Sequence, residues 1–141
     1  MPQISTDKSR LDVDVIHRFL SEESYWAKGI PRAIVERAIE HSLCFGAYDE
    51  DGALIGFARV VTDYAVFAYI GDVFVLPSAR GKGVSKAIMA AIRSHPELQT
   101  LRRWHLLTHD AHGLYAQFGF GELAKPERHM EISVPEPYGA A

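Results

Sequence analysis

A chain of 141 residues, 48% hydrophobic and 23% charged, has the size and balance of one soluble domain that buries its own core. Its formal net charge of −3 offers no general attraction to phosphate polymers or anionic membranes. A single cysteine, Cys44, excludes an internal disulfide and a cysteine-rich zinc site, and it reads as a small buried hydrophobe.

In chain order, a short strand over residues 3–6 precedes a helix capped by Asp12, with Val13, Ile16, Phe19 and Leu20 on one face. A second helix starts at Pro31 and carries Ile34, Val35, Ala38 and Ile39 at helical spacing until His41. Residues 43–48 and 54–61 flank the turn Asp49-Glu50-Asp51-Gly52 and read as an antiparallel hairpin. A third strand, 67–76, ends at Pro77, and its run of Ile70, Val73, Phe74, Val75 and Leu76 predicts cover on both faces. The next helix, 83–94, turns Ala87, Ile88, Ala91 and Ile92 inward and stops at His95-Pro96. A strand over 104–107, a short helix over 111–118, a turn at 119–121 and a last strand over 130–134 complete the chain. The predicted order is β-α-α-β-β-β-α-β-α-β: one α/β (α+β) domain, residues 1–134, around a mixed sheet, with 135–141 as a loose tail.

The segment Arg80-Gly81-Lys82-Gly83-Val84-Ser85 joins the buried third strand to the following helix. A helix N-terminus presents unpaired N–H groups and the positive end of the helix dipole, so it attracts phosphate. Gly81 and Gly83 leave room for a close backbone approach, and Arg80, Lys82 and Lys86 add counter-charge. A Walker A loop would need Lys and then Ser or Thr after Gly83, where Val84-Ser85 stand. A dinucleotide fingerprint would need a third glycine where Lys86 stands.

Arg80, Gly83 and Ser85 resemble the R-x-x-G-x-G/A signature of the GNAT superfamily of N-acetyltransferases, with Ser85 in the place of the last Gly or Ala. Leu114-Tyr115-Ala116-Gln117-Phe118-Gly119-Phe120 resembles that family's L-Y-x-x-x-G-F segment, and the likeness covers most of the chain. The resemblance implies a largely antiparallel central sheet flanked by helices. It also implies transfer of an acetyl group from acetyl-CoA to a primary amine of a small-molecule acceptor. The alternative is a non-catalytic acyl-CoA-binding sensor of the same fold, a reading that the departures at Ser85 and Thr108 keep open.

On this resemblance Tyr115 is the proton donor to the departing thiolate. A phenol with a pKa of about 10 is protonated at neutral pH and can serve that role. The cofactor side comprises the backbone of Val73, Phe74 and Val75, the loop residues Arg80, Gly81, Lys82, Gly83, Val84 and Ser85, and Phe118. Thr108 joins them at a position where the family often has asparagine, seven residues before the tyrosine.

Asp72 interrupts an apolar strand and should share a face with Phe74 and Leu76, opposite Val73 and Val75. It reads either as the base that takes the amine proton through water or as a structural carboxylate paired with Arg59 or Arg80. The acceptor pocket is expected between the first two helices, the hairpin and the end of the central strand, with Tyr25, Trp26 and Tyr69 in its wall and Tyr64 and Phe67 nearby. An aromatic wall would suit a cationic amine, whereas aromatics in such a turn also commonly cover a core.

His105, His109 and His112 span a strand end and a loop rather than one helical face, so no metal site is expected. The Arg102-Arg103 cluster reads as a helix-to-strand turn, which leaves no nucleic-acid surface. The polar N-terminus and the lack of any apolar run near the roughly 20 residues of a membrane span predict a cytoplasmic protein without membrane contact. The sequence admits a homodimer without setting the oligomeric state.

Overall fold

A computed structural model describes residues 2–139. Its strands are β1 (Gln3–Ser5), β2 (Leu43–Tyr48), β3 (Leu54–Thr62), β4 (Phe67–Val75) and β5 (Arg103–Leu106), and its helices are α1 (Val13–Arg18), α2 (Arg32–Glu40), α3 (Val84–Ser94) and α4 (His112–Ala116).

Local chemistry sets most of these boundaries. The Asp12 carboxylate accepts the Val15 N–H at 3.2 Å and starts α1, which then widens into a π turn over Phe19–Glu23. Pro31 stands at the N-cap of α2, where a missing N–H costs nothing. In the hairpin turn the Asp49 carboxylate accepts the N–H groups of Asp51 at 2.9 Å and Ala53 at 3.0 Å, while Gly52 takes φ +83°.

The five strands lie in sequence order, β1 to β5, antiparallel except for the parallel β4–β5 pair. Phe45, Ala58, Val60 and Ile70 on one face pack against Val84, Ile88, Met89 and Ile92 of α3. Phe57 and Phe74 on the other face pack against Ile16, Phe19, Leu20, Val35 and Ile39 of the first two helices. Both faces of β4 are therefore covered, as its apolar run requires. Ile88, Met89 and Ile92 are 0% exposed, and each contributes about 1.5–3 kcal/mol by leaving water. That burial, more than helix propensity, fixes α3 and the loop before it.

The predicted last strand does not form. Met130, Ile132 and Val134 are 98%, 95% and 64% exposed, and residues 130–134 make no backbone hydrogen bond among the described residues. Their alternation marks an apolar face, but a strand also needs an edge to pair with, and the segment meets none in its own chain. Beyond it, Tyr138 packs back against the α1–α2 side of the core. Residues 140 and 141 of the predicted tail lie outside the described residues.

Candidate active site

The site begins with an irregularity in β4. Phe57 pairs with Phe74, yet Arg59 pairs with Gly71, so β4 carries one residue more than β3 across this interval. The bulge falls at Asp72, whose φ is +53°, a conformation that Asp tolerates better than most residues. Phe74 stacks on Phe19 at 4.2 Å, while Val73 and Val75 pack toward α3. Asp72 is on the Phe74 side, reaching groups from the α1–α2 layer.

Both carboxylate oxygens of Asp72 are engaged. Oδ1 accepts the Trp26 Nε1–H at 2.9 Å, and Oδ2 accepts the Arg59 Nε–H at 2.8 Å. Arg59 also donates from Nη1 to the Ser42 hydroxyl at 3.1 Å. Of the two expected partners it is Arg59 that pairs with Asp72, because the Arg80 guanidinium instead donates to the Val75 carbonyl at 3.1 Å.

The β4–β5 register ends where Ile70 faces Leu106, so residues 71–75 have no β5 partner and a slot opens between the strands. A cavity of about 670 Å³ occupies this opening. It brings together Tyr25, Trp26, Tyr69, Asp72, Thr108 and Tyr115, with Val73 at its edge. Tyr115 is only 9% exposed, and this burial pushes its phenol above the usual tyrosine pKa. The Thr108 hydroxyl accepts the Ala111 N–H at 3.0 Å and thereby fixes the start of α4, which carries Tyr115.

Tyr25 and Trp26 bridge the slot. The Tyr25 hydroxyl accepts the His109 N–H at 3.1 Å on the β5 side, while Trp26 reaches Asp72 on β4. Their rings meet edge to face at 5.0 Å. Sequence reasoning named the two aromatics but missed the contact with His109, since a backbone donor leaves no residue signature. It also missed Tyr138, which lines the cavity from the C-terminal tail.

In the loop before α3, Gly81 and Gly83 have φ +78° and +77°. A Cβ at either would meet nothing within 4 Å, so backbone conformation rather than crowding within the protein calls for glycine. The first α3 backbone bond runs from Ala87 N–H to the Gly83 carbonyl at 3.0 Å, which leaves the N–H groups of Val84, Ser85 and Lys86 in the unpaired first turn. Lys82 and Lys86 are exposed beside them.

Other expected residues fall elsewhere. Phe118 packs on the α3 side of the core and lines a second groove rather than the 670 Å³ cavity. Tyr64 and Phe67, 43% and 39% exposed, sit at the β3–β4 turn outside that cavity. His105 stacks between Tyr69 at 5.8 Å and His129 at 6.3 Å, and His109 packs against Tyr25. Among the described residues no three His, Cys, Asp or Glu side chains are grouped to hold a metal ion. Cys44 is 1% exposed, and burial pushes its thiol up to about 11.

Residues 40–122 match the family described as the acetyltransferase (GNAT) domain. The chain belongs to the GNAT acetyltransferase family. This GNAT domain is 30% identical to a Gibberella zeae protein, FG08082, named as a candidate acetyltransferase, over 81% of this chain and 75% of that protein. It is 55% identical to the solved structure of a candidate GNAT acetyltransferase from Xanthomonas campestris pv. campestris, with 99% and 98% of the two chains covered and a TM-score of 0.96. A third similar structure, Rv2747 from Mycobacterium tuberculosis in complex with CoA, shares the fold at 20% identity and a TM-score of 0.71, over 86% of this chain and 73% of its own.

The GNAT family uses acetyl-CoA. The residues of this GNAT domain fit that co-substrate: the open glycine loop ahead of α3 suits a pyrophosphate, and the unpaired end of β4 suits an extended, amide-bearing arm.

Proposed function

We propose that this GNAT domain is an acetyl-CoA-dependent N-acetyltransferase that delivers the acetyl group directly to a primary amine of a small molecule. The observation that carries the reading is a single cavity lined at once by the buried Tyr115, the unpaired end of β4 and an aromatic wall.

In this reading the backbone N–H groups of Gly81 to Ser85 hold the pyrophosphate, with Arg80 and Lys82 at its rim. Main-chain groups of Val73, Phe74 and Val75 hold the pantetheine arm and polarise the thioester carbonyl. Acetyl-CoA supplies the acetyl group as a thioester. The amine attacks as the free base. As the C–N bond forms and the C–S bond breaks, Tyr115 releases its Oη proton to the departing sulfur, and the phenolate regains the proton that the acylated nitrogen sheds, directly or through water. The raised phenol pKa keeps the Oη proton in place at neutral pH; its transfer to a thiolate whose parent thiol lies near 8.5 runs uphill and is completed by that reprotonation of the phenolate.

Asp72 acts here through others. With Oδ1 on Trp26 and Oδ2 on Arg59, it is a positioning residue that holds the aromatic wall against β4. The acceptor side of the cavity combines apolar Ile16, Leu20 and Ile34 with the faces of Tyr25, Trp26 and Tyr69, and Asp110 stands at its rim. Aromatic faces and a carboxylate favour a cation, and a volume of about 670 Å³ suits a small molecule. The acceptor class is thus a small amine with an apolar body. The place of action in this reading is the cytoplasm.

The test offers acetyl-CoA and a panel of small primary amines and reads the free thiol of released CoA. Amine-dependent release is expected, strongest for amines with an apolar or aromatic body. Stabilisation by CoA without release to any amine would replace the enzyme by a sensor.

A further inference from the structure

Arg59 and Tyr69 share one face of the sheet in the wall of the acceptor cavity. In the β3–β4 register Arg59 stands opposite Gly71 and Val61 opposite Tyr69, so Arg59, Gly71 and Tyr69 project to the same side. Gly71 has no side chain, and the Tyr69 ring takes the space it leaves: a Cβ at Gly71 would stand 3.1 Å from Tyr69 Cε1. The ring is thereby brought over β4 toward the Arg59–Asp72 pair.

The Arg59 guanidinium is only partly covered. Asp72 gives it one oxygen, on Nε, because the other is held by Trp26, so the bidentate pairing usual between arginine and a carboxylate is not made. The Ser42 hydroxyl accepts from Nη1, and Nη2 has no acceptor among the described residues. The Tyr69 hydroxyl has no partner there either. Neither atom is shut away: among the described residues the one sealed, unpartnered side-chain polar atom is the Tyr48 hydroxyl. Burial first, and then the Asp72 charge, push the Tyr69 phenol above its usual pKa, so the hydroxyl keeps its proton and can donate it to a hydrogen bond. Arg59 is also the only lysine or arginine in the cavity wall among the described residues.

We propose that the open side of the Arg59 guanidinium and the Tyr69 hydroxyl form a carboxylate subsite, and that the acceptor is an amino acid with an apolar side chain. The inference rests on the acetyl-transfer reading above and narrows its acceptor. A planar guanidinium matches the two oxygens of a carboxylate, and the phenol adds a neutral donor beside it. The ammonium of such a zwitterion meets the aromatic faces of Tyr25 and Trp26 and the Asp110 carboxylate at the rim, while its side chain lies against Ile16, Leu20 and Ile34. A phosphate, with a charge of about −1.5 to −2, fits less well, because Asp72 already offsets part of the only guanidinium in the wall.

The experiment titrates the full chain, saturated with CoA, by calorimetry with two matched pairs: phenylalanine against phenethylamine, and leucine against isopentylamine. The members of each pair differ only in the carboxylate. The same compounds are then assayed with acetyl-CoA for thiol release. Each amino acid is expected to bind about tenfold tighter than its amine, with a KM lower by a similar factor. Arg59→Lys keeps a cation beside Asp72 but loses the planar fork, and should bring the binding ratio to within about twofold of unity. Tyr69→Phe removes only a hydroxyl, so its fold is secure, and it should lower the ratio about threefold. Equal binding within the pairs, tighter binding of the amines, binding of neither member of either pair, or a parental ratio kept by either variant would each overturn the subsite. Thiol release that ignores the carboxylate would sink the subsite and leave the enzyme. Binding of amino acids that depends on Arg59, with no thiol release, would sink the enzymatic reading and leave the subsite.

Discussion

Replacing Asp72 by alanine would leave the Arg59 guanidinium without its carboxylate and the Trp26 N–H without an acceptor. Removing one partner of a fully buried ion pair costs about 3–5 kcal/mol. The Arg59 and Asp72 side chains keep 21% and 14% exposure, so solvent reduces this to about 2–3 kcal/mol. The lost Trp26 hydrogen bond and an alanine forced to φ +53° add about 1 kcal/mol more. A loss near 3 kcal/mol in a chain of 141 residues corresponds to a fall in unfolding temperature of about 10 °C. Calorimetry and urea unfolding both read it. An Asp72→Ala protein within about 0.5 kcal/mol of the parent would refute the network. Asp72→Asn, which tolerates the left-handed backbone, separates the two roles first read for this residue. A positioning role predicts a raised KM for the amine with kcat changed by less than about tenfold, and a base role predicts a kcat loss of about 100-fold or more.

Three further outcomes follow from the same geometry. Burial raises the Cys44 thiol to about 11 in the folded protein against an ordinary 9.0. The stability this group contributes is complete below pH 9 and is lost as pH rises from 9 to 11, about 2–3 kcal/mol in all. Urea midpoints of Cys44→Ala should therefore fall less steeply over that window than those of the parent, and an identical slope would contradict the assignment. Gly83→Ala, forced to φ +77° with nothing near its Cβ, should cost about 1–2 kcal/mol of stability and weaken CoA binding at least tenfold, read by calorimetry and by titration. Tyr25→Phe removes the acceptor for the His109 N–H and should loosen the β5 side of the cavity, raising the amine KM with CoA affinity unchanged.

Much of the scaffold was legible because its signals are local. Asp49 and Gly52 announce the hairpin, Pro31 and His95-Pro96 punctuate helices, and the inward row Ile88 and Ile92 identifies α3. The loop glycines and Tyr115 could be placed from short motifs. The bulge could not, because Gly71 and Asp72 break the register only against Arg59 on another strand. Nor could the Trp26–Asp72 bond, whose partners are 46 positions apart. Phe118, three residues from Tyr115, turns toward α3 instead of the cavity because the chain tightens there, with the Phe118 N–H on the Tyr115 carbonyl at 2.9 Å. The strand expected over 130–134 does not form, because alternation marks an apolar face but carries no information about whether an edge lies within reach.

The most direct test of the account is Tyr115→Phe assayed under saturating acetyl-CoA and amine. The change removes one buried hydroxyl oxygen and no packing volume to speak of, so the fold and CoA affinity should persist. The account predicts a kcat lowered about 100-fold, reporting the loss of the proton donor. A variant that binds CoA as the parent does and keeps full kcat would show that the proton comes from elsewhere, and the proposed chemistry of the cavity would be wrong.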